Sequence, residues 1–268
     1  MKTMSVKPVT LLTIVCAIAL TIVSWFGVFD DTTYARDAAS MAAQGIGQDM
    51  VDLFLVVPLL LFSFFLMRRG NIIFTLLFGG TVFYITYSFF IYCFGVHFNR
   101  LFLLYCVVLG TSFYLLILVL IDLHQKILVD RFPERLPNKS TAIFFIVIAL
   151  LFYLIWLKDV LPAVIHNAVP KSVSDYQLLV NPVHVLDMAI ALPGLVAGAV
   201  LLFKKHKMGF ILAPVFLVFF IILTIALVAM VVMLKVKGIS DDISAAVIFV
   251  LLSVISFFFL GSYLRKLR

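Results

Sequence analysis

Asp52-Leu53-Phe54-Leu55-Val56-Val57-Pro58 and Asp187-Met188-Ala189-Ile190-Ala191-Leu192-Pro193 carry one pattern twice: an aspartate, then a proline six residues on, inside an otherwise apolar run. A charged side chain at the centre of a bilayer costs about 2.5–3.5 kcal/mol on insertion scales and faces a bundle interior when it occurs. Matching placement of the pair in two halves of the chain predicts a duplicated four-helix unit with a candidate site between the copies.

The surrounding composition makes lipid the solvent. Hydrophobic residues make up 65% of the chain and charged residues 12%, against roughly 45–50% and 25% in soluble domains. Apolar stretches of about 20 residues, enough for a roughly 30 Å hydrocarbon core, fall near 8–29, 49–67, 71–96, 101–123, 141–161, 182–203, 209–234 and 243–264. The expected fold class is therefore all-α: a polytopic membrane protein of eight transmembrane helices, in two parallel four-helix repeats over 1–135 and 136–268. The first stretch exceeds the 7–15 apolar residues of a signal-peptide core and ends in Trp25-Phe26-Gly27-Val28-Phe29 without a small-x-small cleavage site. It is expected to be a retained helix.

The net charge of +7 reports orientation, not nucleic-acid binding. With the N-terminus inside, Lys2, Lys7, Arg68, Arg69, Lys126, Arg131, Arg135, Lys139, Lys204, Lys205, Lys207, Arg265, Lys266 and Arg268 fall on one side, and only Arg36, Arg100, Lys158, Lys171, Lys235 and Lys237 on the other. Asp30, Asp31, Asp37, Asp49, Asp159, Asp175, Asp241 and Asp242 fall on that second side. This is the positive-inside pattern, and it predicts a multi-pass protein of the cell membrane with both termini cytoplasmic.

Further matches accompany the Asp–Pro pair. Trp25 falls near Trp156, Arg68-Arg69-Gly70 near Lys204–Gly209, and Ser112-Phe113 near Ser256-Phe257. An even number of helices per copy gives both copies one orientation, related by an axis along the membrane normal. Against His184 in the second half the first half offers Gln48, so the site is expected to be asymmetric.

Asp52, Asp187 and His184 are the candidate substrate- or ion-binding residues, expected about one to two turns below the outer interface. His184 precedes Asp187 by one helical turn and shares its face, behind an Asn181-Pro182 helix start. Proline removes a backbone donor and crowds the carbonyl four residues back. Asp52 and the Phe54 carbonyl point roughly 200° apart on a helix, so Pro58 and Pro193 are expected to be hinges rather than sources of ligands. A His–Asp pair is short of the three or four ligands of a zinc site, and His166 and Asp159 stand at no recognisable spacing. No metal site and no cofactor are predicted. Gly194 and Gly198 form a small-residue stripe for close helix packing, and Gly79-Gly80 offers the same in the third span. Tyr84, Tyr87, Tyr92, Tyr105 and Tyr114 are assigned to the interfacial belt or to lipid-facing packing. Cys16, Cys93 and Cys106 are expected to be buried apolar thiols. The outer connections 30–48 and 158–181 exceed what a turn needs, and either could serve as a lid.

The Asn181-Pro182-Val183-His184-Val185-Leu186-Asp187 stretch, with the basic turn Lys204–Lys207, resembles uncharacterised bacterial multi-span integral membrane proteins. The resemblance implies a helical membrane fold and carries no function with it.

Three function classes remain. A transporter or an ion- or proton-coupled carrier accounts together for the duplication, the intramembrane carboxylates, the broken helices and the lack of extramembrane domains. Its partners would be the lipid bilayer and a proton, cation or small solute, with no nucleic acid. A non-transporting subunit, assembly factor or receptor-like protein would use the same bundle structurally, as a homo-oligomer or beside a membrane partner protein. An intramembrane enzyme acting on a lipid or quinone would need His184–Asp187 as its acid–base couple. The chain has no HExxH, GxSxG or paired-aspartate GxGD-like signature.

Overall fold

The structure, a computed structural model, describes residues 6–126 and 138–265, and every regular element among them is helical. Among the described residues eight helices are long and apolar enough to cross a membrane: Lys7–Phe29, Ala39–Met67, Ile72–Gly95, Phe102–Lys126, Asn138–Ile165, Pro182–Phe203, Lys207–Val236 and Ser244–Leu264. The chain is an all-α, multi-pass integral membrane protein, as its hydropathy predicts. The expected boundary at 135/136 lies outside the described residues, as do Lys2, Arg131, Arg135, Lys266 and Arg268 of the basic set.

The second span departs most from expectation. It begins at Ala39, not near residue 49. The extra turns, Ala39-Ser-Met-Ala-Ala-Gln-Gly-Ile-Gly-Gln48, are too small and polar to register as membrane-spanning, yet alanine-rich chain favours helix. Gly47 presses this segment onto the seventh span so closely that a Cβ there would meet the Ala229 carbonyl oxygen at 2.7 Å. Residues 39–48 are thus a packed helix and not a loop. Asp49, assigned outside by the charge count, lies within the span and is fully buried. Asp52 correspondingly sits near the middle of its helix instead of near its outer end.

Each Asp–Pro pair produces the same local structure. Asp52–Val56 and Asp187–Ala191 are single π turns, in which the amides of Val57 and Leu192 reach back to the carbonyls of Asp52 and Asp187. Pro58 and Pro193 then stand in the first turn of the α-helices that resume, Val57–Met67 and Leu192–Phe203. A proline cannot donate to the i−4 carbonyl and its ring collides with it, so the helix takes in one surplus residue ahead of the ring. In the sixth span the Tyr153 hydroxyl donates to the Met188 carbonyl of that turn at 3.0 Å.

The correspondence continues through the following turns without a gap. Gly70 (φ 82°) and Lys205 (φ 51°) both take left-handed backbone to end their helices. Asn71 and His206, next along, cap the third and seventh spans by accepting from the amides of Ile73 (3.0 Å) and Met208 (3.2 Å). The tryptophan match does not extend to structure: Trp25 lies on Phe29 at the surface, while Trp156 turns inward.

The third and seventh spans pack together at the centre, and the seventh also touches the second, sixth and eighth. Gly80 makes the central approach: a Cβ there would meet the Val215 carbonyl oxygen at 2.8 Å. Gly194 and Gly198 do mark a packing surface, but what fills it is the Phe216 ring, 3.3 and 3.4 Å from their notional Cβ positions. Close backbone approaches are found instead at Gly47, Gly80 and Gly209, the last against the Leu201–Leu202 peptide at 2.6 Å.

Candidate functional site

The third span carries the tyrosines around which the site is organised. Tyr84, Ser88 and Tyr92 recur every four residues and so form one helical stripe, with Tyr87 beside it. Tyr84, Tyr87, Tyr92 and, from the fourth span, Tyr105 are all buried. The belt or lipid-facing assignment fails for these four; Tyr114, 60% exposed, lies on the outside of the bundle. Their hydroxyls explain the difference, since a buried phenol needs a polar partner. Tyr92 and Tyr87 each donate to an aspartate, and Tyr84 stands beside a third.

Asp49 accepts from the hydroxyls of Tyr34 and, at 3.0 Å, Tyr92. Gly27 makes room for the carboxylate, because a Cβ at that position would fall on it. Tyr34 comes from the connection between the first two spans, where burial first, and then the Asp49 charge, push its phenol well above the ordinary tyrosine range. That connection is fastened to the 96–101 turn by Asn99 donating to the Thr33 carbonyl (3.2 Å), Arg36 donating to the Phe98 carbonyl (2.8 Å) and an Asp30–Arg100 ion pair.

Asp187 is held from two sides. The Tyr87 hydroxyl donates to its Oδ1 and the Trp156 indole N–H to its Oδ2, both at 2.8 Å. Third, fifth and sixth spans therefore meet on one carboxylate. Asp52 is the contrast. It is 1% exposed, and the Tyr84 hydroxyl beside it makes no well-formed hydrogen bond to either of its oxygens. Asp187 lines a small cleft with Phe152, Phe216 and Leu223, and Asp52 is not part of it.

His184 is brought near Asp187 but not onto it. Its ring lies 4.7 Å from that of Trp156, and its buried Nε2 has no partner. The offset that sets Asp52 on Asp187 sets His184 against Asp49, not Gln48. The asymmetry expected at this position is thus a histidine facing an aspartate.

His184 opens on a chamber of about 290 Å³. Its walls are the beginning of the second span (Gln44, Gln48), the end of the third (Tyr87, Tyr92), the start of the sixth and the end of the seventh, with Trp156 from the fifth. The roof is chain outside the spans: Tyr34 from the first connection, and Ser172, Tyr176 and Leu178 from the long one. Tyr176 receives a hydrogen bond from Gln44 Nε2 at 3.3 Å, and Ser172 is bonded to Asp159. Ser172, Tyr176 and Leu178 of the long connection thus cover the chamber, whereas Met41, Gln44, Gly45 and Gln48 stand in its wall.

Among the described residues no group of three or more His, Cys, Asp or Glu side chains could hold a metal ion. His166 is exposed, and Asp159 is taken up by Ser172. Cys93 and Cys106 are free thiols that neighbour one another across the turn, the second of them exposed rather than buried. Asp122, near the end of the fourth span, is buried and ion-paired with Lys126 at 2.7 Å.

Sequence reasoning located Asp52, Asp187 and His184 but missed Asp49, Gly27 and the tyrosines. The spacing of Asp49 to Asp52, one helical turn, was the available signal for the first of these. No family model matches the chain, and neither a curated protein nor a solved structure matches it.

Proposed function

We propose that the protein is a carrier for a small solute, coupled to a proton or cation and built from two parallel four-span units, 1–135 and 136–268. The observation behind this reading is the roofed chamber between the two aspartate-bearing helices, with the donors to Asp187 and Asp49 in its wall. Its size is near the lower end of small-molecule sites, roughly 300 Å³ upward. The π turns, the left-handed turn residues and the side-chain caps at one offset support the duplication. Ionised and unpaired, a buried carboxylate is costly, and this makes Asp52 the candidate proton-binding group. Asp187, with two donors, is the candidate link between chamber and helix, and Pro58 and Pro193 with their π turns are the hinges. The charge distribution supports a cell-membrane location with cytoplasmic termini.

An enzyme finds less support, because no hydrogen bond couples His184 to Asp187 and both Asp187 oxygens have other donors. A non-transporting membrane subunit finds some in Leu179 and Val180, apolar side chains exposed beyond the spans.

Purified protein in liposomes under an imposed pH gradient tests the carrier. Solute-dependent proton movement that is lost in Asp52→Asn, with the variant still folded, is expected. No flux of any of a broad panel of solutes, or flux unchanged in both Asp52→Asn and Asp187→Asn, would overturn the proposal.

A further inference from the structure

The chamber wall has a particular chemistry. It contains no lysine or arginine. Five of its members are aromatic: Tyr34, Tyr87, Tyr92, Tyr176 and Trp156. Four of these donate their polar hydrogen outward to a carboxylate, Tyr34 and Tyr92 to Asp49, Tyr87 and Trp156 to Asp187. A carboxyl group thus stands directly behind the aromatic wall on two sides. An aromatic donor bonded to a carboxylate is polarised by it, and its face becomes a better partner for a cation.

From this we infer that the chamber is an aromatic cage for a small organic monocation of the alkylated ammonium class. The assignment rests on the carrier proposal for the chamber being a ligand site, and it names the kind of solute. An anion would meet two carboxylates and no fixed cation. A metal ion or bare ammonium would need several free oxygen acceptors, whereas the hydroxyls of Tyr34, Tyr87 and Tyr92 are already turned to Asp49 and Asp187. An alkylated ammonium spreads its charge over methyl groups and is matched by aromatic faces.

The test is binding, read on the detergent-purified full chain. Choline and tetramethylammonium are compared with 3,3-dimethylbutanol, a neutral isostere of choline, and with 3,3-dimethylbutanoate, an anionic one. Saturable stabilisation by the cations, with the isosteres at least tenfold weaker, is expected. Tyr176 sits on the roof rather than in the bundle, so Tyr176→Leu is expected to fold and to weaken cation binding about fivefold to thirtyfold, the range of one cation–π contact. Tyr176→Phe, which keeps the ring, should stay close to the parent. Equal binding of the neutral isostere, preference for the anion, no cation binding up to saturating concentrations, or equal loss in the Leu and Phe variants would each overturn the cage. Flux is read separately in liposomes. Cation binding without flux would keep the cage and remove the carrier; flux of a neutral or anionic solute alone would keep the carrier and remove the cage.

Discussion

Tyr87 of the third span donates to Asp187 of the sixth at 2.8 Å, and this bond joins the first half of the chain to the second at the depth of the π turn. Removing the hydroxyl leaves a buried oxygen with no donor while the ring keeps its edge contact with Phe219 at 5.2 Å. Tyr87→Phe should therefore destabilise by about 1–3 kcal/mol, read as a lowered melting temperature in detergent. Trp156→Phe removes the other donor, and the double variant should depart from additivity because both act on one carboxylate.

Asp49 and Asp52 are one helical turn apart and should respond oppositely to neutralisation. Asp49→Asn sets an amide against two phenol donors and is expected to cost about 1–3 kcal/mol. Asp52→Asn replaces a carboxyl to which the neighbouring Tyr84 hydroxyl makes no well-formed bond, and is expected to be neutral or stabilising in the same melt. Destabilisation of the two variants to the same degree would show that Asp52 has a partner after all.

Gly27 should tolerate no side chain. A Cβ there falls on the Asp49 carboxylate, so Gly27→Ala is expected to cost about 1–3 kcal/mol as overpacking and to weaken the Tyr34 contact with it. Gly110 has nothing within 4 Å of its notional Cβ. Gly110→Ala is the matched control and should leave the melting temperature unchanged or raise it.

Tyr34 sets an alkaline limit. Its folded-state phenol is held above the ordinary value, so above about pH 10 the unfolded chain releases a proton that the folded chain keeps. Stability contributed by this group is complete below the unfolded value and is lost as pH rises past it. Tyr34→Phe should flatten the fall of melting temperature on the alkaline side by the equivalent of one proton.

Much of this architecture was legible in the sequence. Hydropathy found eight spans because lipid imposes length and apolarity on every crossing, and the Asp–Pro pairs marked both π turns. The start of the second span was hidden because Ala39–Gln48 is held by close backbone packing at Gly47 rather than by apolar side chains. The same error moved Asp49 out of the bilayer. The tyrosines were misassigned because an amphipathic ring suits both a lipid interface and a bundle interior, and only the facing carboxylates distinguish the two. Nothing in one chain's pattern tells that Tyr87 faces Asp187, 100 residues away.

The two π turns have a mechanical consequence. Each stores one residue out of phase with the α-helix around it, and resolving it would rotate all that lies beyond by about 100° about the axis. Pro58 and Pro193 block that surplus residue from travelling one way along the helix. The second and sixth spans are thereby geared: each can twist in a single discrete step, starting at its aspartate, on the side away from the proline.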